Sequence, residues 1–128
     1  MSTKETTLER VIRETDLKTI PWSLEITEVA GSFYAGLMLM QIMAEQDASS
    51  RKTNWGVKKS RHRWAEDLGI GYGAQRTARK LLKDRGLVVE RRFGVFCTVY
   101  YRANVEEVLR QLRKVQDRRL EELMAGGL

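Results

Sequence analysis

Hydrophobic and polar positions along the chain follow two periods, one near 3.6 residues and one near 2, and the change between them falls at Gly86. Over 62–68, Trp64, Ala65 and Leu68 take one side of about two helical turns. Ser60 stands in front as a capping oxygen, and Gly69 behind, where a left-handed terminating residue belongs. Gly71 and Gly73 permit a tight reversal. In the helix expected over 72–85, Ala74, Ala78, Leu81 and Leu82 share one face, and Arg76, Arg79, Lys80 and Lys83 take the opposite one. Gly86 stops that helix after the basic Arg85. Beyond it, 87–92 and 95–102 are rich in Val, Tyr, Phe and Thr. They predict two strands joined at Phe93-Gly94, with Arg91, Arg92 and Phe93 at the tip.

The flanks add helices. Residues 29–45 are apolar nearly all round, which predicts a helix buried against more than one neighbour, with Thr27 as its cap and Glu28 near its positive end. Met38, Met40 and Met43 there serve as flexible core filler rather than a ligand stripe. Surplus apolar surface is free to meet the N-terminal arm or a second subunit. The arm, 1–27, is acidic. Leu8, Val11 and Ile12 would share a face in a short helix, and Pro21-Trp22 interrupts the pattern. It is either a frayed terminus or a segment docked through Ile20, Trp22, Leu24 and Ile26, and its apolar content favours docking. Residues 47–53 read as a loop, and 54–58, with Trp55 and Val57, as a short strand. After Asn104, a cap, residues Val105, Val108, Leu109, Leu112, Val115, Leu120 and Leu123 hold a helical stripe that loosens at Arg118-Arg119. This is no sustained heptad repeat. Its near half is expected to pack on the domain, and its far half is long enough to form a homodimer.

The order helix, glycine turn, helix and hairpin is the skeleton of a winged helix-turn-helix. The expected fold class is therefore α+β, mainly helical. An N-terminal arm at 1–27 precedes a winged helix-turn-helix domain at 28–103, and a C-terminal helix at 104–128 follows. Four runs carry a resemblance: Trp64-Ala-Glu-Asp-Leu-Gly-Ile, Gln75-Arg-Thr-Ala-Arg-Lys-Leu-Leu, Arg85-Gly-Leu-Val and Val99-Tyr-Tyr-Arg-Ala-Asn. Over about 30–112 the chain resembles the small winged-helix proteins of bacteriophages and mobile elements. That resemblance implies a DNA-binding role in replication initiation or regulation. Gln75 departs from the general helix-turn-helix pattern, which places an aliphatic residue there.

Charge sharpens the expectation. The formal net charge of the 128 residues is +6, but 51–92 alone hold 13 Lys+Arg against 4 Asp+Glu, or +9. Residues 1–50 carry −4 and 93–128 carry +1. Positive charge is concentrated on the segment that would meet phosphates. Arg76, Arg79, Lys80 and Lys83 would face the major groove, where arginine bonds bidentately to guanine, and Gln75 would read adenine if it faces outward. Lys58, Lys59, Arg61 and Arg63 would hold phosphates. Arg91 and Arg92 would reach the backbone or the minor groove. Tyr72 is either a phosphate donor or a packing residue.

The remaining chemistry is sparse. His62 is the sole histidine and Cys97 the sole cysteine, so neither a zinc ligand set nor an intramolecular disulfide can form. This suits a reducing cytoplasm. No secretory pattern opens the chain, and 29–44, interrupted by Ser32 and Gln41, is shorter than a membrane span needs. Gly69, Gly71 and Gly73 lack the spacing of a dinucleotide loop. The neighbouring carboxylates Glu66-Asp67 and Glu121-Glu122 point different ways on their helices. The expectation is a non-enzymatic, cofactor-free, cytoplasmic binder of double-stranded DNA. The alternative is an interaction module whose basic face binds or inhibits an acidic host protein.

Overall fold

The computed structural model describes residues 23–49, 55–96 and 98–126. The expectations for Leu8, Val11, Ile12, Ile20, Trp22 and Cys97 lie outside them. Within them, five helices and a three-stranded antiparallel sheet make an α+β fold that is mainly helical.

The first helix, α1 (Leu24–Ala30), starts at Ser23, whose hydroxyl accepts from the Ile26 amide, and ends at Gly31 with φ 100°. Thr27 and Glu28 thus lie inside a helix rather than in front of one, and α1 straddles the expected border between arm and domain. The sequence pattern misses this because Gly31-Ser32 looks like an interior interruption. It is in fact a left-handed stop followed by a new cap: the Ser32 hydroxyl accepts from the Ala35 amide at 3.1 Å. Helix α2 (Phe33–Ser49) leaves that corner bent by 105° from α1. The helices touch where Gly36 faces Thr27, and a Cβ there would sit 2.9 Å from the Thr27 hydroxyl. Ile26 docks into the core as expected of the arm, whereas Leu24 stays exposed.

Ala35, Met38, Leu39 and Ile42 of α2 are fully buried, and α2 packs on α1 and on the sheet and helices that follow. The helix bounded on several sides is therefore present. It continues to Ser49, past the start of the expected loop. Strand β1 is only Val57–Lys58. Helix α3 (Arg61–Leu68) has the foreseen caps: the Ser60 hydroxyl accepts from the Arg63 amide, and Gly69 is left-handed with φ 68°. Helix α4 (Tyr72–Asp84) buries Ala78 and Leu82 beside Gln75 and ends ahead of Gly86.

Strands β2 (Val88–Phe93) and β3 (Thr98–Ala103) form the hairpin, in register from Val88 opposite Ala103 to Phe93 opposite Thr98. β1 adds to the outer edge of β3, giving the order β1-β3-β2. The expected turn at Phe93-Gly94 is corrected: Phe93 ends a strand, and the turn begins at Gly94 and continues through Val95 and Phe96. Packing sets that register. It brings Val88, Tyr101, Ala103 and, from β1, Val57 onto one inner face, where the Tyr101 ring meets the buried Trp64 edge-on at 5.7 Å.

Helix α5 (Val105–Ala125) is capped by the Asn104 side chain, as expected. Val108 is buried, and Leu112 and Val115 pack against the core. Glu28 of α1 pairs with Arg118 and Arg119, which holds the middle of α5 to α1. Leu120, Leu123 and Met124 beyond are exposed. Among the described residues no single helix is long and apolar enough to cross a membrane.

Candidate nucleic-acid interface

The order α3, glycine turn, α4 and hairpin places the basic residues on two adjoining surfaces. The first is the outer side of α4. Arg76 is exposed and has no carboxylate partner among the described residues. Lys80, one turn on, is exposed and pairs with Asp84 at 2.9 Å. Tyr72, at the start of the helix, is 46% exposed, and its ring carries the Arg61 guanidinium at 4.8 Å. Tyr72 is thus a half-exposed platform for a cation.

The second surface is a groove of about 840 Å³ between the start of α3 and the hairpin, lined by Lys58, Ser60, Arg61, Arg63, Arg92 and Phe96 among others. Lys58, Arg61 and Arg92 have no carboxylate partner among the described residues. Arg63 leans on the half-buried Asp67 at 3.4 Å while its own side chain stays 62% exposed. Arg61 joins the two surfaces, since it lines the groove and lies on Tyr72. On the hairpin, Arg91 is exposed and lies over the rings of Trp55, at 5.4 Å, and Phe93, at 6.0 Å.

Three of the expected contact residues point elsewhere. Gln75 is 2% exposed and donates through Nε2 to the carbonyls of Arg61, at 2.9 Å, and Ile70, at 2.7 Å. It fastens the turn between α3 and α4 and cannot read a base. Lys59 is also buried. Its ammonium lies 2.8 Å from Glu45, 2.7 Å from Asp67 and 4.7 Å from the Trp64 ring centroid. Arg79 makes two bonds to the Glu90 carboxylate, at 2.7 and 3.0 Å, and lies over the Tyr101 ring. It ties α4 to the hairpin instead of facing the major groove. Lys83 leans on the same carboxylate at 3.4 Å.

The electrostatics agree with that geometry. Burial pushes the Glu90 carboxyl up, but the bonds and charges of Arg79 and Lys83 outweigh it, and the group ends below the ordinary carboxylate range. The bond to Glu90 likewise raises Arg79. Tyr101 is raised, chiefly because it is buried.

Two features escaped the sequence reading. Arg85, at the end of α4, donates to the Val29 carbonyl at 2.9 Å and so covers the C-terminus of α1. Its guanidinium fills the space in which a Cβ on Gly31 would sit. No local signal marks a contact so distant in sequence. Val95 and Phe96, at the hairpin tip, are each 93% exposed. Their strand-like composition concealed the turn. Among the described residues no group of three or more His, Cys, Asp or Glu is placed to hold a metal ion. No protein-family model, curated protein or solved structure matches the chain.

Proposed function

We propose that this chain is a non-enzymatic, double-stranded-DNA-binding protein with a winged helix-turn-helix fold, acting in replication initiation or transcription control in a phage or mobile element. Helix α4 is the reading helix and the β2–β3 hairpin the wing. The observation that carries the reading is the continuity of the basic surface. Arg76 and Lys80 on α4 run through Tyr72 and Arg61 into the groove of Lys58, Arg63 and Arg92. The sheet order β1-β3-β2 beside the α3–α4 pair supports the same fold.

In this reading the exposed start of α4 enters the major groove, where Arg76 donates two bonds to the O6 and N7 of guanine. Lys58, Arg61 and Arg63 take phosphates beside it, and Lys80 and Lys83 take others along α4. Arg91 and Arg92 carry the wing onto the neighbouring backbone or minor groove. Selection from random duplexes followed by affinity against salt tests the reading. The five cations without a carboxylate partner among the described residues, and the three exposed cations that lean on a carboxylate, give an expected salt slope of about −4 to −7 at ~0.9 per phosphate. Arg76→Ala is expected to cost about 1–3 kcal/mol at a selected site and to relax it at one position. A selection that yields no motif, or binding indifferent to salt, would remove the proposal.

A second reading is an interaction module whose basic face docks an acidic host protein. The exposed Leu24, Leu120, Leu123 and Met124 favour it, since they offer apolar surface away from the basic face. Capture of a host protein that survives nuclease treatment would select it.

A further inference from the structure

Hairpin tips that face water are ordinarily polar, built on Asn, Asp and Gly. Here Gly94, with φ 79°, supplies the reversal, and the next two residues are Val95 and Phe96, each 93% exposed. Large apolar side chains so fully in water gain nothing for the fold.

Three observations say what such a tip would meet. The chain from Arg91 to Val105 contains no acidic residue, so the distal hairpin is wholly cationic and neutral. Phe96 lines the same groove as Lys58, Arg61, Arg63 and Arg92, so a phosphate backbone held there would run directly beside the tip. Finally, the hairpin is braced. Phe93 meets Trp55 at 5.9 Å and Tyr100 at 5.1 Å, both edge-on, with Arg91 stacked outside. β1 pairs with Tyr100 and Tyr101, and the Lys59 amide reaches the Val99 carbonyl, which leaves the Phe93–Thr98 rung projecting beyond.

We infer that the β2–β3 tip is an apolar wedge that inserts Val95 and Phe96 between base steps from the minor groove and bends the duplex. The inference rests on the DNA-binding reading above. Apolar wedges partially unstack a step, and the cost of unstacking is repaid by the protein surface that the bent duplex then meets. Pyrimidine–purine steps, which open most easily, are the preferred place of entry. The cations around the tip hold the phosphates on either side of the kink.

The test uses the full chain and an end-labelled duplex of about 25 base pairs rich in TA steps, with energy transfer reporting the bend and titrations repeated at several salt concentrations. Three proteins are compared: the parent, a Val95→Ser/Phe96→Ser double variant and Phe96→Leu. Both substitutions lie on exposed side chains with Gly94 intact, and equal melting temperatures confirm that the fold is kept. The parent is expected to shorten the end-to-end distance on binding, and Phe96→Leu to retain the bend. The double variant is expected to bind with the parent's salt slope and to leave the duplex straight. Binding by the parent without bending, or an equal bend with the double variant, overturns the wedge and leaves the DNA reading in place. No binding by the parent at any salt overturns both.

Discussion

Lys58 and Lys59 are neighbours of identical chemistry, and the structure gives them opposite roles. The Lys59 side chain is 1% exposed and bridges Glu45 and Asp67, which are 35% and 12% exposed. Lys59→Met keeps most of the packing against Trp64 and deletes the charge. Glu45 can then turn to water, whereas Asp67, at 12% exposure, loses its 2.7 Å ion pair with Lys59. Breaking a fully buried pair costs about 3–5 kcal/mol, and the solvent access of Glu45 brings the expected loss to about 2–3 kcal/mol. With ~2.1 cal/mol/K per residue, the 128-residue chain has an unfolding entropy near 0.27 kcal/mol/K. The melting temperature should therefore fall by roughly 7–11 °C. Adding Asp67→Asn should recover part of the loss, because part of it comes from the Asp67 charge that Lys59 no longer balances. Lys58→Ala should leave stability within about 0.5 kcal/mol and reduce the salt slope of duplex binding by ~0.9. Circular dichroism melts and salt titrations of the four proteins decide the matter. If Lys59→Met melts within about 2 °C of the parent, the buried-cation argument is wrong.

Two further predictions concern ion pairs that the sequence did not disclose. Arg79→Ala should destabilise the fold by about 1–2 kcal/mol by removing both bonds to the half-buried Glu90. Because the folded Glu90 carboxyl lies below its ordinary value of 4.5, the Arg79 contribution is present above that pH and lost as pH falls through the lower folded value. Urea midpoints of the parent and Arg79→Ala should thus converge below about pH 4.5, and a gap independent of pH would refute the pairing. At the start of α5, bonds from Arg110 first and Gln111 next hold the Glu107 carboxyl down at about 2. Carboxyl-carbon NMR should find it there and find it returned toward 4.5 in Arg110→Ala; an unchanged titration would show that Arg110 does not set it.

Much of the fold was legible because it depends on local chemistry. Ser60, Gly69, Asn104 and Gly86 act within a few residues of themselves, and each capped or ended the helix it was expected to. The apolar face of α4 needed only its own spacing. What failed depended on partners far away in the chain. The hairpin turn was misplaced because Val95 and Phe96 have strand composition, while the register is set by Tyr101 reaching Trp64. The split between α1 and α2 was missed because the composition on both sides of Gly31-Ser32 is apolar. In two cases a signal was present. Gln75 occupies a position that is aliphatic in helix-turn-helix patterns, which points inward. Period-two alternation from the buried Val57 puts Lys58 outward and Lys59 inward.

The division of the basic residues has a consequence for how the interface must be mapped. Of the ten cations that the sequence nominates for DNA, Lys59 and Arg79 are turned inward, and these two orient the others. Lys59 ties α2 to α3 at the wall of the groove, and Arg79 locks the β2–β3 hairpin onto α4. Each therefore helps set the angle between the two surfaces that the proposed reading brings to one duplex. On the proposed DNA-binding reading, loss of either would weaken binding by misplacing Arg76, Arg92 and the hairpin tip, because both cations are spent on internal carboxylates. An alanine scan read by affinity alone would rank them as contacts. A direct phosphate contact loses affinity with a reduced salt slope and an unchanged melt. A positioning residue loses stability in the absence of DNA. Only the two measurements taken together separate the side chains that read DNA from those that hold them in place.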